Sequence, residues 1–226
     1  MKKSVTTLTI ALVGIGLTAF ALQPDKTAQA ALTPDSVLAD LKAGNKRYVA
    51  NTPNQTDTAA RIKKGNEGQF PKAYVLSCVD SRVPVEQAFD QGLGDLFVGR
   101  VAGNIENEDQ LGSMEYAVAV GGVKLIVVMG HESCGAVKSA CDDIKLGNAS
   151  ALLQKIRPAV RSIEGYAGKT AKDKDFVTSV VKANVKRTVD DIRVRSEVLA
   201  DAEKAGKIKI VGAYYSLKDG AITFMD

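Results

Sequence analysis

The chain has no tryptophan, one histidine and three cysteines among 226 residues, and aromatic side chains make up only 5%. Three cysteines, an odd number, cannot build the disulfide framework of a small secreted scaffold. Basic residues are not interleaved with aromatics, so the chain offers no stacking platform for nucleic acid and no nucleic-acid partner is expected. Long apolar runs are also scarce. The one substantial run, about fifteen residues from Leu8 to Leu22, falls short of the roughly 20 that span a bilayer. What remains is 45% hydrophobic and 25% charged, the mix of a globular domain.

The first segment reads as an export signal. Lys2 and Lys3 precede the apolar run, and Ala28-Gln29-Ala30 gives the small-x-small pattern of a signal-peptidase site. Cleavage is expected after Ala30, leaving residues 31–226 as one mature domain that is periplasmic or secreted, with no stable membrane insertion. The formal net charge then falls from +4 to +2, with 27 basic against 25 acidic residues. Lys182, Lys186, Arg187, Arg193 and Arg195 alternate with Val181, Val185, Val189 and Ile192, which reads as the solvated face of an amphipathic helix.

Thr33-Pro34 predicts a helix start, with Thr as N-cap and Pro in the first turn. Lys72–Ser77, Leu96–Val98, Leu125–Met129 and Ile208–Tyr215 read as strands, and Ala221–Met225 as a last short one. The spacing predicts helices over 109–120, 133–144, 149–164 and 174–204, with 51–57 as polar loop. Alternating strands and helices predict an α/β domain with a mostly parallel central sheet flanked by helices. No linker or repeat divides it.

Two stretches fall at the C-terminal ends of predicted strands, where open α/β sheets place their sites. One is Ser77-Cys78-Val79-Asp80-Ser81-Arg82, the other Gly130-His131-Glu132-Ser133-Cys134-Gly135. Together they hold the sole histidine and two of the three cysteines. Thiolate and imidazole suit zinc, and a catalytic zinc takes three protein ligands plus water. His131 and Cys134, three apart at a strand-to-helix turn, can reach one ion, with Cys78 from the neighbouring strand as third ligand. The same cysteines could instead be core residues or, in an oxidising compartment, a disulfide. Cys141 lies seven residues beyond Cys134, about 10.5 Å along a helix, and reads as a small core residue. Asp80 and Arg82, two apart, fit a bidentate ion pair, either structural or aimed at a metal-held water.

These residues, with R-V-A-G-N at 100–104, S-M-E-Y-A-V at 113–118 and A-Y-Y-S-L-K-D-G at 213–220, make the chain resemble the β-class carbonic anhydrases from about Thr33 to Phe224. The resemblance implies zinc-dependent reversible hydration of CO2 to bicarbonate and a proton by a zinc-activated water. It implies one Zn²⁺ per subunit on Cys78, His131 and Cys134, with Asp80 and Arg82 as the catalytic dyad. Gln69, nine residues before Cys78, resembles the bicarbonate-binding glutamine of the plant-type branch. Phe97, Val101 and Tyr116 fall where that branch lines its apolar substrate pocket, partly across a subunit boundary, so a homodimer or homotetramer is expected. Val75 stands where the other branch carries the tryptophan of an inhibitory bicarbonate site. Asp80 could serve as fourth ligand in a closed state, though not as the expected resting arrangement. The Gly135 amide is placed to orient substrate or bicarbonate. Hydrolysis of carbon disulfide or carbonyl sulfide on the same scaffold, and a non-catalytic structural zinc, are the rival readings. A redox role is disfavoured because there is no C-x-x-C motif.

Overall fold

The computed structural model describes residues 25–225. The apolar run of the expected signal therefore lies outside the described residues. Residues 25–30 do not: helix α1 (Lys26–Ala30) is capped by the Asp25 side chain, and Gln29 within it is buried. The Gln29 amide donates to the carbonyls of Pro71 and Gly121, each at 2.7 Å, so it clasps the two segments that lead into the central strands.

Helix α2 (Pro34–Val49) starts as expected, on a reciprocal pair in which the Thr33 and Ser36 side chains accept from each other's backbone amides. The polar loop over 51–57 ends in a helix that was not anticipated, α3 (Thr58–Gly65), capped by Asp57. Strand β1 (Ala73–Ser77) follows, then the single turn α4 (Val85–Ala88) and strand β2 (Leu96–Arg100). A tight turn at Ala102–Asn104 leads to α5 (Glu108–Ala119). Strand β3 (Leu125–His131) is buried along its whole length. Its continuous Leu-Ile-Val-Val-Met run is what a parallel strand covered on both faces requires.

Helix α6 (Gly135–Cys141) is shorter at both ends than the expected 133–144, because Ser133 takes a left-handed conformation (φ 54°) and Cys134 is the cap. Helix α7 (Ala149–Arg161) precedes the long α8 (Lys174–Arg195). The single helix expected over 174–204 is in fact two. Ser196 is extended and its side chain caps α9 (Glu197–Lys204) by accepting from the Leu199 amide. Strands β4 (Lys209–Tyr215) and β5 (Ile222–Met225) close the chain.

The five strands form one sheet in the order β2-β1-β3-β4-β5, parallel except for β5. Alternation along the strands divides the core. Ala73, Val75, Leu125, Val127 and Met129 face Val37, Leu41 and Phe89 from α2 and the segment after β1. Tyr74, Leu76, Ile126 and Val128 face Met114, Val185, Ile192 and Leu199 from α5, α8 and α9. Helix α8 comes close to the sheet because two glycines leave room. A Cβ on Gly130 would stand 2.6 Å from a Val185 methyl, and one on Gly212 would stand 2.8 Å from the other.

The basic stretch on α8 is only partly a solvated face. Arg193 donates to Glu203 and to the Ile210 carbonyl, and Arg195 pairs with Glu106, so these two bolt α8 to neighbouring elements. Among the described residues, no helix is long and apolar enough to cross a membrane.

Candidate metal centre

Parallel strands β1 and β3 pair with Ser77 opposite Met129, so Cys78 and His131 emerge at the same end of the sheet. The left-handed Ser133 turns the chain back after β3 and brings Cys134 over His131. The three side chains are buried, with ligand atoms all within 4.8 Å of one another, and among the described residues they are the one His/Cys/Asp/Glu group that could hold a metal. The two sulfurs are 3.9 Å apart and both cysteines are free, so the disulfide reading does not hold. A tetrahedral ion with sulfur at about 2.3 Å separates two sulfurs by roughly 3.8 Å, so the spacing suits one.

The histidine is prepared for the same purpose. Nδ1 donates to the Glu132 carbonyl at 2.9 Å, which puts the ring proton there and leaves Nε2 with its lone pair. Nε2 is fully buried and has no hydrogen-bond partner, a costly arrangement unless something else takes the lone pair. Residue 132 is held too: its amide donates to the Tyr215 carbonyl, and its carboxylate accepts from the Leu217 amide.

The two sulfurs lie within hydrogen-bond reach of each other. The neighbouring Cys134 thiol and the Gly103 amide hold Cys78 below the usual thiol range, against the cost of burial. Cys134 is pushed up by the neighbouring Cys78 and by its own burial. Burial and the neighbouring sulfur oppose negative charge on both cysteines at once, and a cation held between them would relieve that. Soft sulfur donors with one imidazole are the donor set that zinc favours.

Beside this group, Arg82 grips Asp80 with three hydrogen bonds. Nε and the Arg82 amide donate to Oδ1 at 2.9 and 3.0 Å, and Nη2 donates to Oδ2 at 2.8 Å. These bonds hold the Asp80 carboxyl well below the usual carboxylate range. Its Oδ2 lies 3.8 Å from His131 Nε2, so an ionised carboxylate borders the metal group. Arg100, whose role the sequence reading did not identify, clamps this loop by donating to the carbonyls of Cys78 and Asp80 at 2.8 and 2.6 Å. Its place in R-V-A-G-N, at the C-terminal end of a strand, was the available signal.

The remaining expected residues divide. The Val101 amide donates to the Ser77 carbonyl and its side chain packs against the cluster containing Cys78, so it does border the centre. Gly135 follows Cys134 on exposed backbone, with nothing within 4 Å of where a Cβ would stand. Phe97 and Tyr116 are not brought to the metal group within one chain. Phe97 pairs with Tyr74, three residues before Arg100 and so about 10 Å back along the strand. With Tyr74, Arg100 and Gln110, these two line an open groove of about 760 Å³ along the free edge of β2. Gln69 is exposed and precedes β1, whereas Cys78 follows it, so the strand's length separates them. Cys141 lies in the core with Val160 and Leu153, and burial raises its thiol to about 11, as expected for a packing residue.

A family model described as carbonic anhydrase matches residues 73–222. Carbonic anhydrase 2 of Mycobacterium tuberculosis is 38% identical over 192 residues, covering 82% of this chain and 90% of that protein. A carbonic anhydrase of Mycolicibacterium smegmatis is 39% identical over 188 residues, covering 80% and 88%. Among solved structures, the β-carbonic anhydrase CcaA superposes with a TM-score of 0.68 at 23% identity, covering 85% of this chain and 87% of that one. A tetrameric β-carbonic anhydrase of Sordaria macrospora gives the same score and identity, covering 84% and 93%. At that identity the likeness is one of fold.

Proposed function

The chain belongs to the carbonic anhydrase family, with the fold of its β-class, and on that premise we propose that it catalyses the reversible hydration of CO2 with one zinc ion on Cys78, His131 and Cys134. The observation that carries the zinc assignment is the buried, partnerless His131 Nε2 facing two sulfurs 3.9 Å apart. Bound there, zinc would supply a Lewis acid that makes water acidic enough to lose a proton at mildly alkaline pH. The protein's own groups do the positioning. Asp80, kept ionised by Arg82, accepts a hydrogen bond from the attacking water and fixes the direction of its lone pair towards carbon. Val101 keeps the approach apolar, as CO2 requires, and the Gly135 amide, next to Cys134 at the start of α6, would orient bicarbonate. Asp80 stays on Arg82 in the resting state and does not become a ligand. Metal analysis and a stopped-flow CO2 assay on wild type and Cys134→Ala test this. One zinc per chain and activity abolished in the variant are expected; an active, zinc-free wild type refutes it.

Assembly as a homodimer or homotetramer completes the site on this reading. Gln69, Phe97 and Tyr116, distant from the metal group of their own chain, then face the centre of a second copy across the unpaired edge of β2, as the plant-type branch would have it. Light scattering should give an even number of chains, and a monomer that is fully active contradicts this.

Export to the periplasm or medium, with removal of residues 1–30, is likewise proposed on the signal-like N-terminus. A cut after Ala30 would also remove the Gln29 clasp on Pro71 and Gly121. N-terminal sequencing of secreted protein is expected to read Ala31 onwards. A start before Gln29 would place the boundary earlier and retain the clasp.

A further inference from the structure

We propose that Asn184, a buried residue in the middle of α8, is a positioning residue for the Cys78 thiolate, acting through the backbone of Gly103. The inference rests on the metal reading above. Asn184 Nδ2 donates to the Gly103 carbonyl at 2.8 Å, across 81 residues of sequence. The amide of the same residue donates to Cys78 Sγ at 3.3 Å. Gly103 is thus gripped on its carbonyl by the helix and presents its N–H to the sulfur. Two features show that the peptide is held in this orientation. Gly103 has φ 72°, a conformation that side chains disfavour, and a Cβ there would stand 2.5 Å from Ile156 Cδ1, so only glycine fits. Asn104 after it is also left-handed and buried, so the turn cannot relax into solvent.

The arrangement depends on the close approach of α8. Asn184 sits between Val181 and Val185, the two residues that lie over Gly130. Bulkier residues in β3 and β4 would lift the helix and withdraw the amide. An N–H donated to a thiolate draws density from sulfur and weakens its donation to a metal, so the strength of this bond tunes the ion from a distance. Asn184 touches neither metal nor substrate. Its effect is on the angle and tightness of one N–H···S bond.

The test uses the full chain with cobalt(II) in place of zinc, whose sulfur-to-metal charge-transfer absorption reports electron density on the thiolates. Asn184→Ala frees the Gly103 peptide, loosens its bond to sulfur and should shift that band to longer wavelength. The control is Asn45→Ala. Asn45 is also buried and donates to carbonyls, those of Ala88 and Gly220, but it has no connection to Cys78. It should lower the urea midpoint without moving the band. Asn184→Ser, with a hydroxyl too short to reach Gly103, serves if the alanine variant does not fold, and should shift the band in the same direction. An unshifted band in the Asn184 variants, or an equal shift in Asn45→Ala, overturns the proposal. Failure of wild type to take cobalt overturns the metal reading itself, and this inference with it.

Discussion

The close seat of α8 on the sheet makes Gly130→Ala an informative substitution. In most strands, replacing glycine by alanine stabilises by about 0.5–1 kcal/mol, because the unfolded chain loses freedom. Here the new methyl would stand 2.6 Å from a Val185 methyl and 2.9 Å from one on Val181. Ordinary carbon contacts are about 3.5–4.0 Å, so the helix must retreat by roughly 1 Å. Overpacking of that kind costs about 1–3 kcal/mol, which outweighs the entropic gain. Gly130→Ala should therefore destabilise by about 1–2 kcal/mol in urea unfolding of the metal-loaded protein. The decisive measurement is the double-mutant cycle with Val185→Ala. That change alone leaves a cavity and costs about 2 kcal/mol, but it also makes space for the new methyl. The pair should be less destabilised than the sum of the singles by about 1 kcal/mol or more. Additive effects, or a neutral Gly130→Ala, would refute the claim that the glycines set the helix height.

Four further outcomes are expected. Asp80→Ala should lower kcat/KM by about 100-fold through loss of water orientation, with zinc still bound, as measured by stopped flow and metal analysis. The Asp80 carboxyl, depressed by Arg82, contributes stability above the ordinary carboxylate range that is lost only as pH falls through its lowered value. Carbon-13 NMR should thus find it ionised at about pH 4, and in Arg82→Ala its titration should move up towards about 3.9. Two thiolates offset the charge of a divalent ion, so activity should rise through mildly alkaline pH, and a kcat flat across that range would contradict the ligand set. With the sole histidine committed as a ligand, turnover at saturating CO2 should increase with external buffer concentration; independence from buffer would reveal another proton carrier.

The parts of the fold that could be read from the chain are those with a local signature. Strand β3 announces itself by an unbroken apolar run, and α2 by Thr33-Pro34. The cluster of Cys78, His131 and Cys134 was legible because β-strand ends in a parallel sheet collect at one side, which makes motif position a guide to proximity. Helix α3 was missed although Asp57 is an ordinary cap, because its eight residues bury little beyond Arg61 and carry no apolar stripe. The break at Ser196 was hidden inside a helical period that runs from Val185, Val189 and Ile192 on to Leu199, all of which the structure buries. Gln69 shows a different limit. Its distance of nine residues from Cys78 is small in sequence, yet a whole strand intervenes, and the role proposed for it needs a second chain. Gly103 lies inside R-V-A-G-N, but Asn184 has no motif of its own, and the link between them runs between elements 81 residues apart.

The partner chosen for the His131 ring has a bearing on how the centre tolerates genetic drift. Many metal-site histidines lean on a carboxylate, which a single codon change can abolish. Here the acceptor is the main-chain carbonyl of residue 132, and the amide on that same residue is tied to another main-chain carbonyl, that of Tyr215. Every amino acid supplies those two groups except proline, which lacks the amide. Replacements at 132 can therefore cost the Leu217 contact while the imidazole keeps its tautomer, and position 132 should accept nearly any residue without loss of the ion.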